Sequence, residues 1–149
     1  MHNVNNMKPS EIRESTITCL HKTVLEMMSF EWHQEIAKCS ETERKEASLL
    51  AMRLFNAKDA LVNAQLEEIS DKLQENKDAL KSGTAKLEQA LDGLEKVKAV
   101  IDAATSLLSI VAKVVTFAAV PWAIPAASLL REEAAFGPEM SLRKESKAI

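Results

Sequence analysis

Between Ala103 and Leu130 the chain reads AATSLLSIVAKVVTFAAVPWAIPAASLL, and Lys113 is the only charge in it. Charged residues flank the stretch on both sides: Lys96, Lys98 and Asp102 before it, Arg131-Glu132-Glu133 after it. A helix that is apolar all round cannot lie on the surface of a small water-facing fold. It is buried in a core, held by a partner, or placed in lipid. Any fold for this chain must therefore find cover for that stretch.

The composition says what kind of element supplies the cover. Aromatic residues make up 4% of the chain, with no tyrosine, and only three glycines and four prolines punctuate its 149 residues. So few turn formers and aromatics argue against strands and for long helices. Hydrophobic residues at 46% and charged residues at 28% describe a globular chain, and the length suits one domain with a single core. The expected fold class is all-α: a long-helix hairpin or coiled-coil-like bundle carrying a highly apolar C-terminal helical segment.

Taken in order, residues 1–9 are polar and are expected to be a flexible flank. Ser10 reads as an N-cap with Glu11 in the first turn, opening a helix over about 11–38. Ile12, Ile17, Leu20, Val24, Met27, Met28 and Ile36 form its apolar stripe. Ser40-Glu41-Thr42-Glu43 is a capping box, in which serine and glutamate satisfy each other's backbone N–H, so a second helix starts at about 41. Its stripe of Ala47, Leu50, Leu54, Ala57, Leu61 and Ala64 slips by one position to Val62, Leu66, Ile69 and Leu73. Such a slip is a stutter-like phase change. The helix is expected to run to about 81.

Leu66, Leu73, Leu80, Leu87, Leu94 and Ile101 lie seven apart, and Leu108, Val115 and Trp122 continue the series. A sustained seven-residue apolar repeat signals a coiled-coil-like seam. Lys81-Ser82-Gly83-Thr84 interrupts it, because Gly83 suits a helix C′ position and Thr84 can cap a new helix after it. Two readings meet here: a tight helical hairpin at Ser82-Gly83, or one long helix with a weak point. Folding back lets two long amphipathic helices cover each other, as in helical bundles with short loops. A third helix is expected over about 85–120, broken at Pro121 and Pro125, and a short one over 126–135. Residues 10–136 then make a single helical domain, and 137–149 a flexible charged tail.

Membrane insertion can be weighed numerically. Leu107–Ile124 is about 18 residues, just long enough to span. Its large apolar side chains together favour insertion by roughly 4 kcal/mol, while Lys113 costs about 3 kcal/mol and Ser109, Thr116 and Pro121 add to that. The balance is near zero. This is not a constitutive anchor, but such a segment can sit in a bundle and move to lipid when the bundle opens. Trp122, between two prolines, would suit a membrane interface.

Chemistry is sparse. Cys19, His21, His33 and Cys39 do not share a helix face, so no metal site is expected. Glu31, His33 and Glu35 lack a nucleophile or phosphate cradle beside them and read as helix surface. Met27 and Met28 read as gap fillers rather than cofactor contacts. No cofactor, catalytic residue or enzymatic activity is expected. The net charge of −3 offers no basic footprint for nucleic acid. The first residues, MHNVNNMKPSEIRES, contain no apolar run of the signal-peptide kind, so synthesis in the cytoplasm is expected, with membrane association or export by a non-classical route.

Long helices joined to one apolar segment resemble, in layout, bacterial α-helical pore formers and secretion-system translocators. The resemblance implies a non-enzymatic, membrane-active protein, soluble when made, inserting or oligomerising through residues 103–130. Its lipid or partner contacts would be Leu107, Leu108, Val111, Lys113, Val114, Val115, Phe117, Pro121, Trp122 and Pro125. The alternative is a coiled-coil structural or adaptor subunit that buries the same segment against copies of itself or a helical partner protein.

Overall fold

The computed structural model describes residues 7–93 and 97–117, and every regular element among them is a helix. The chain runs through α1 (Pro9–Met27), α2 (Phe30–Ala37), α3 (Glu41–Asn63), α4 (Leu66–Glu75), α5 (Lys77–Asp92) and α6 (Val97–Val111). The expected helix over 126–135 and the tail over 137–149 lie outside the described residues.

Several expected boundaries move, each for a local reason. Helix α1 starts at Pro9, with Lys8 rather than Ser10 at its N-cap. Proline at the first helical position sacrifices no hydrogen bond, and the Lys8 N–H donates to Glu11 Oε1 at 2.9 Å. Met7, just before the helix, packs against the core. The expected single helix over 11–38 is two helices. Ser29 N-caps α2, its hydroxyl accepting from the Trp32 N–H at 3.1 Å and donating to the Glu26 carbonyl at 2.7 Å. The Ser40 capping box forms as expected, with Glu43 N–H donating to Ser40 Oγ at 3.2 Å and Ser40 N–H to Glu43 Oε1 at 3.1 Å.

The expected helix over 41–81 ends at Asn63, and the slip in its stripe is a true break. Ala64 is extended, at φ −72° and ψ 145°, and the Arg13 guanidinium donates to its carbonyl at 2.9 Å. A second bend falls at Asn76, whose amide nitrogen donates to the Lys72 carbonyl at 2.8 Å. No hairpin forms at Gly83. That residue is buried in the middle of α5, and the chain reverses after Asp92-Gly93 instead. The expected third helix over 85–120 is therefore split between α5 and α6.

Helices α1, α3, α6 and α5 pack side by side in that order and close a ring, since α5 also packs on α1. Short α2 connects α1 to α3 and touches α6, and α4 carries the chain from α3 to α5 across α1. The contact of Arg13 with Ala64 places the start of α1 beside the end of α3. A crevice lined by Ile12, Thr16, Lys77 and Leu80 places it beside the start of α5. Gly83 faces Leu107 and Ile110, so α6 runs antiparallel to α5 and finishes at that same end of the bundle. Leu20, Leu50, Leu54, Leu61, Leu73, Leu80, Leu87, Val100, Leu107 and Val111 are fully buried along the axis. Each large side chain so buried contributes about 1.5–3 kcal/mol.

Candidate functional site

The apolar segment is the feature any function must account for, and α6 holds its described half. Val97, Val100, Ile101, Ala104, Leu107, Leu108, Val111 and Val114 are buried. Their spacing of threes and fours defines one helix face. The other face is solvent-exposed and is built from Lys98, Ala99, Asp102, Thr105, Ser106, Ser109, Ala112, Lys113 and Thr116. The helix is thus amphipathic after all. Apart from Lys98, Asp102 and Lys113, its wet side consists of short hydroxylated or methyl side chains that a hydropathy reading averages away, with Ser109 Oγ donating to the Ser106 carbonyl at 2.8 Å.

Of the ten contact residues expected from the sequence, Leu107, Leu108, Val111 and Val114 come together in the core. Val115 and Phe117 are half-buried and pack against it, and Lys113 is exposed. Pro121, Trp122 and Pro125 lie outside the described residues. Helical backbone bonds run one turn past α6, with the N–H groups of Val114 and Val115 donating to the Val111 carbonyl at 2.9 and 3.0 Å.

The described seam residues also face inward, but from three helices. Leu73 and half-buried Leu66 sit on α4, Leu80 and Leu87 on α5, and Ile101 on α6; Leu94 lies outside the described residues. The bend at Asn76 leaves the heptad phase intact, so the repeat marks the inner face of successive short helices. The tightest point is Gly83, where a Cβ would stand 3.1 Å from Leu107 Cδ1 and 3.4 Å from Ile110 Cδ1. Glycine here lets α5 approach α6 closely.

A second apolar feature emerges only from the fold. Met52, Phe55 and Val62 on α3 are 39%, 47% and 53% exposed, opposite its buried stripe of Leu50, Leu54 and Leu61. Their spacing of three and seven residues, visible in the sequence, places them on one face. The Lys58 ammonium lies 4.7 Å from the centroid of the Phe55 ring and 3.8 Å from Asp59 Oδ1. Leu25, Met28 and Phe30 make another exposed group at the α1–α2 corner.

The ionisable groups define no reactive centre among the described residues. Burial pushes the Cys19 thiol up to about 11, with Glu88 adding to the effect, and Cys19 Sγ faces the Thr84 carbonyl at 3.8 Å. The Cys39 thiol is also raised, by burial first and then by Glu43 and Glu35. His21 and His33 are exposed, and no three His, Cys, Asp or Glu side chains converge among the described residues. The crevice between α1 and α5 has about 10 Å³, room for roughly one water. No helix among the described residues is long and apolar enough to cross a membrane. Comparison with protein-family models, with curated proteins and with solved structures finds no match to this chain.

Proposed function

We propose that this chain is a non-enzymatic helical-bundle interaction protein, a structural or adaptor subunit that buries its apolar 103–130 region in protein rather than lipid. The single observation that supports it most is the division of α6 and the turn after it: Leu107, Leu108, Val111 and Val114 buried, Lys113 exposed. That division gives the one charge of the segment its water without opening the bundle. Energetics point the same way. Insertion of this segment is close to neutral. Withdrawing α6 from the bundle would also uncover the inner faces of α3 and α5, at about 1.5–3 kcal/mol for each large side chain exposed. A few such side chains match the whole stability of a typical domain, about 5–15 kcal/mol.

Membrane insertion is the second reading, and one sequence observation favours it. The uncharged run continues through Ala118–Leu130, with Trp122 set between Pro121 and Pro125. It requires α6, or the residues after it, to leave protein for lipid. Flotation of the purified protein with phosphatidylcholine–phosphatidylglycerol vesicles, with sizing by light scattering, separates the two. The proposal expects the protein to stay out of the lipid fraction with one defined size that vesicles do not alter. Co-flotation would overturn it in favour of the membrane reading.

A further inference from the structure

We propose that the outward apolar stripe of α3, formed by Met52, Phe55 and Val62, is the docking face for residues 118–130 of the same chain. The inference rests on the reading that the apolar region is buried in protein, and it names the surface that does the burying. Three observations carry it.

The first is position. Helix α6 finishes at the end of the bundle where α3 also finishes, because Arg13 meets Ala64, the crevice of Ile12, Thr16, Lys77 and Leu80 joins the starts of α1 and α5, and Gly83 faces Leu107 and Ile110. Helices α3 and α6 are neighbours in the ring. Half-buried Phe117, the last described residue before the segment, therefore lies at the end of the bundle where Val62 lies. The other exposed apolar group, Leu25, Met28 and Phe30, lies near the opposite end, about 22 Å away along the length of α6.

The second is length. From Met52 to Val62 the stripe is about 15 Å long at the rise of a helix. Ala118–Leu130 provides about 13 residues. Those residues reach about 20 Å if helical and about 40 Å if extended, so either conformation covers the stripe.

The third is chemistry. Residues 118–130 carry no charge and include Val120, Trp122, Ile124, Leu129 and Leu130, and charge resumes only at Arg131. The stripe offers a thioether, a phenyl ring and a β-branched side chain, each part-exposed, with Asp59 between Phe55 and Val62 and its ion-pair partner Lys58 lying over the edge of the stripe at the Phe55 ring. Pairing the two removes both from water, and each supplies the cover that the other lacks.

The test is cysteine crosslinking in the full chain. Cys39→Ser removes the more exposed native thiol, and Cys19 stays in place, fully buried. Asp59→Cys puts a thiol on the α3 stripe, and Ala119→Cys, Ala123→Cys or Ala127→Cys in turn puts the second on the segment. Oxidation at low micromolar concentration should give an intrachain disulfide for at least one pair, running as a monomer on a non-reducing gel. Met52→Asp with Phe55→Asp, both exposed, should slow its formation at least tenfold with the helical circular dichroism unchanged. Leu25→Cys in place of Asp59→Cys should give no such product. Crosslinks that form only between chains would overturn the proposal in favour of a second copy as the occupant. No crosslink from any of the three positions would overturn it as well. Repeating the reaction with vesicles separates the two levels: loss of the crosslink together with flotation defeats the interaction-protein reading, whereas absence of the crosslink without flotation defeats only the docking inference.

Discussion

Gly83→Ala tests the α5–α6 contact through two opposing effects of known size. Alanine in place of glycine inside a helix stabilises by about 1 kcal/mol. Against this, the new methyl would stand 3.1 Å from Leu107 Cδ1 and 3.4 Å from Ile110 Cδ1. Leu107 is fully buried, so its methyl must give way by a few tenths of an ångström in a packed core. Overpacking costs about 1–3 kcal/mol, and with side-chain ends as the main obstacle the lower end applies. The single change should therefore shift stability by less than about 1 kcal/mol. Leu107→Ala alone should cost about 3–5 kcal/mol, as for a fully buried leucine. In that background the obstacle is gone and the added methyl fills part of the cavity, so Gly83→Ala should then stabilise by about 1 kcal/mol or more. Urea unfolding of the four proteins gives the coupling, expected at about 1 kcal/mol, within the range for residues in direct contact. Strict additivity would refute the contact. An equal loss from Gly83→Ala in both backgrounds would place Gly83 in a turn.

The same structure sets three further outcomes. Ser40→Ala should lower stability by about 1 kcal/mol in urea unfolding, because it removes the acceptor for the Glu43 N–H at the start of α3. Cys19 should resist a disulfide reagent near neutral pH while Cys39 reacts, and Cys19 should become reactive on unfolding. The Cys19 thiol is raised from 9.0 to about 11 in the folded chain, so its share of stability is complete below about pH 9 and is lost as pH climbs toward 11; the Cys19→Ala variant should lack that component of the alkaline decline. Lys113→Leu, on the wet side of the turn just after α6, should change stability by less than about 0.5 kcal/mol and leave vesicle flotation unchanged.

Much of the fold is legible where a residue has one dominant use. The Ser40 and Glu43 pair announces a helix start and makes one. Leu73, Leu80, Leu87 and Leu108, members of the series spaced by seven, announce an inner face and occupy it. Gly83 misleads because glycine serves two purposes, the end of a helix and the close approach of two helices, and only the presence of Leu107 opposite decides between them. The true reversal carries its own sign in Asp92-Gly93, a turn-forming pair, but the unbroken heptad runs through it and hides it. Ser29 breaks the first helix by the same chemistry as Ser40, with an aromatic residue three places on where a glutamate would make the pattern obvious. The apolar segment looks uniform because, apart from Lys113, the exposed side of its described residues is made of Ala, Ser and Thr. Burial of Leu107 and Val111 beside exposed Ser109 and Ala112 reveals the two faces.

Helix α6 is a core helix lying antiparallel on α5, and on the proposed function it stays there in the presence of lipid. Spin labels at Ser82 on α5 and Ser109 on α6, both exposed, measure this directly by pulsed dipolar spectroscopy. Neighbouring packed helices have axes about 8–10 Å apart, so the expected result is a single narrow distribution at about 10–20 Å once the label arms are included, identical with and without vesicles. A continuous helix from 82 to 109 would place the labels about 40 Å apart at 1.5 Å per residue. That distance in water would show that α6 does not fold back on α5, and a lengthening of the short one when vesicles are added would show that it leaves the bundle for lipid.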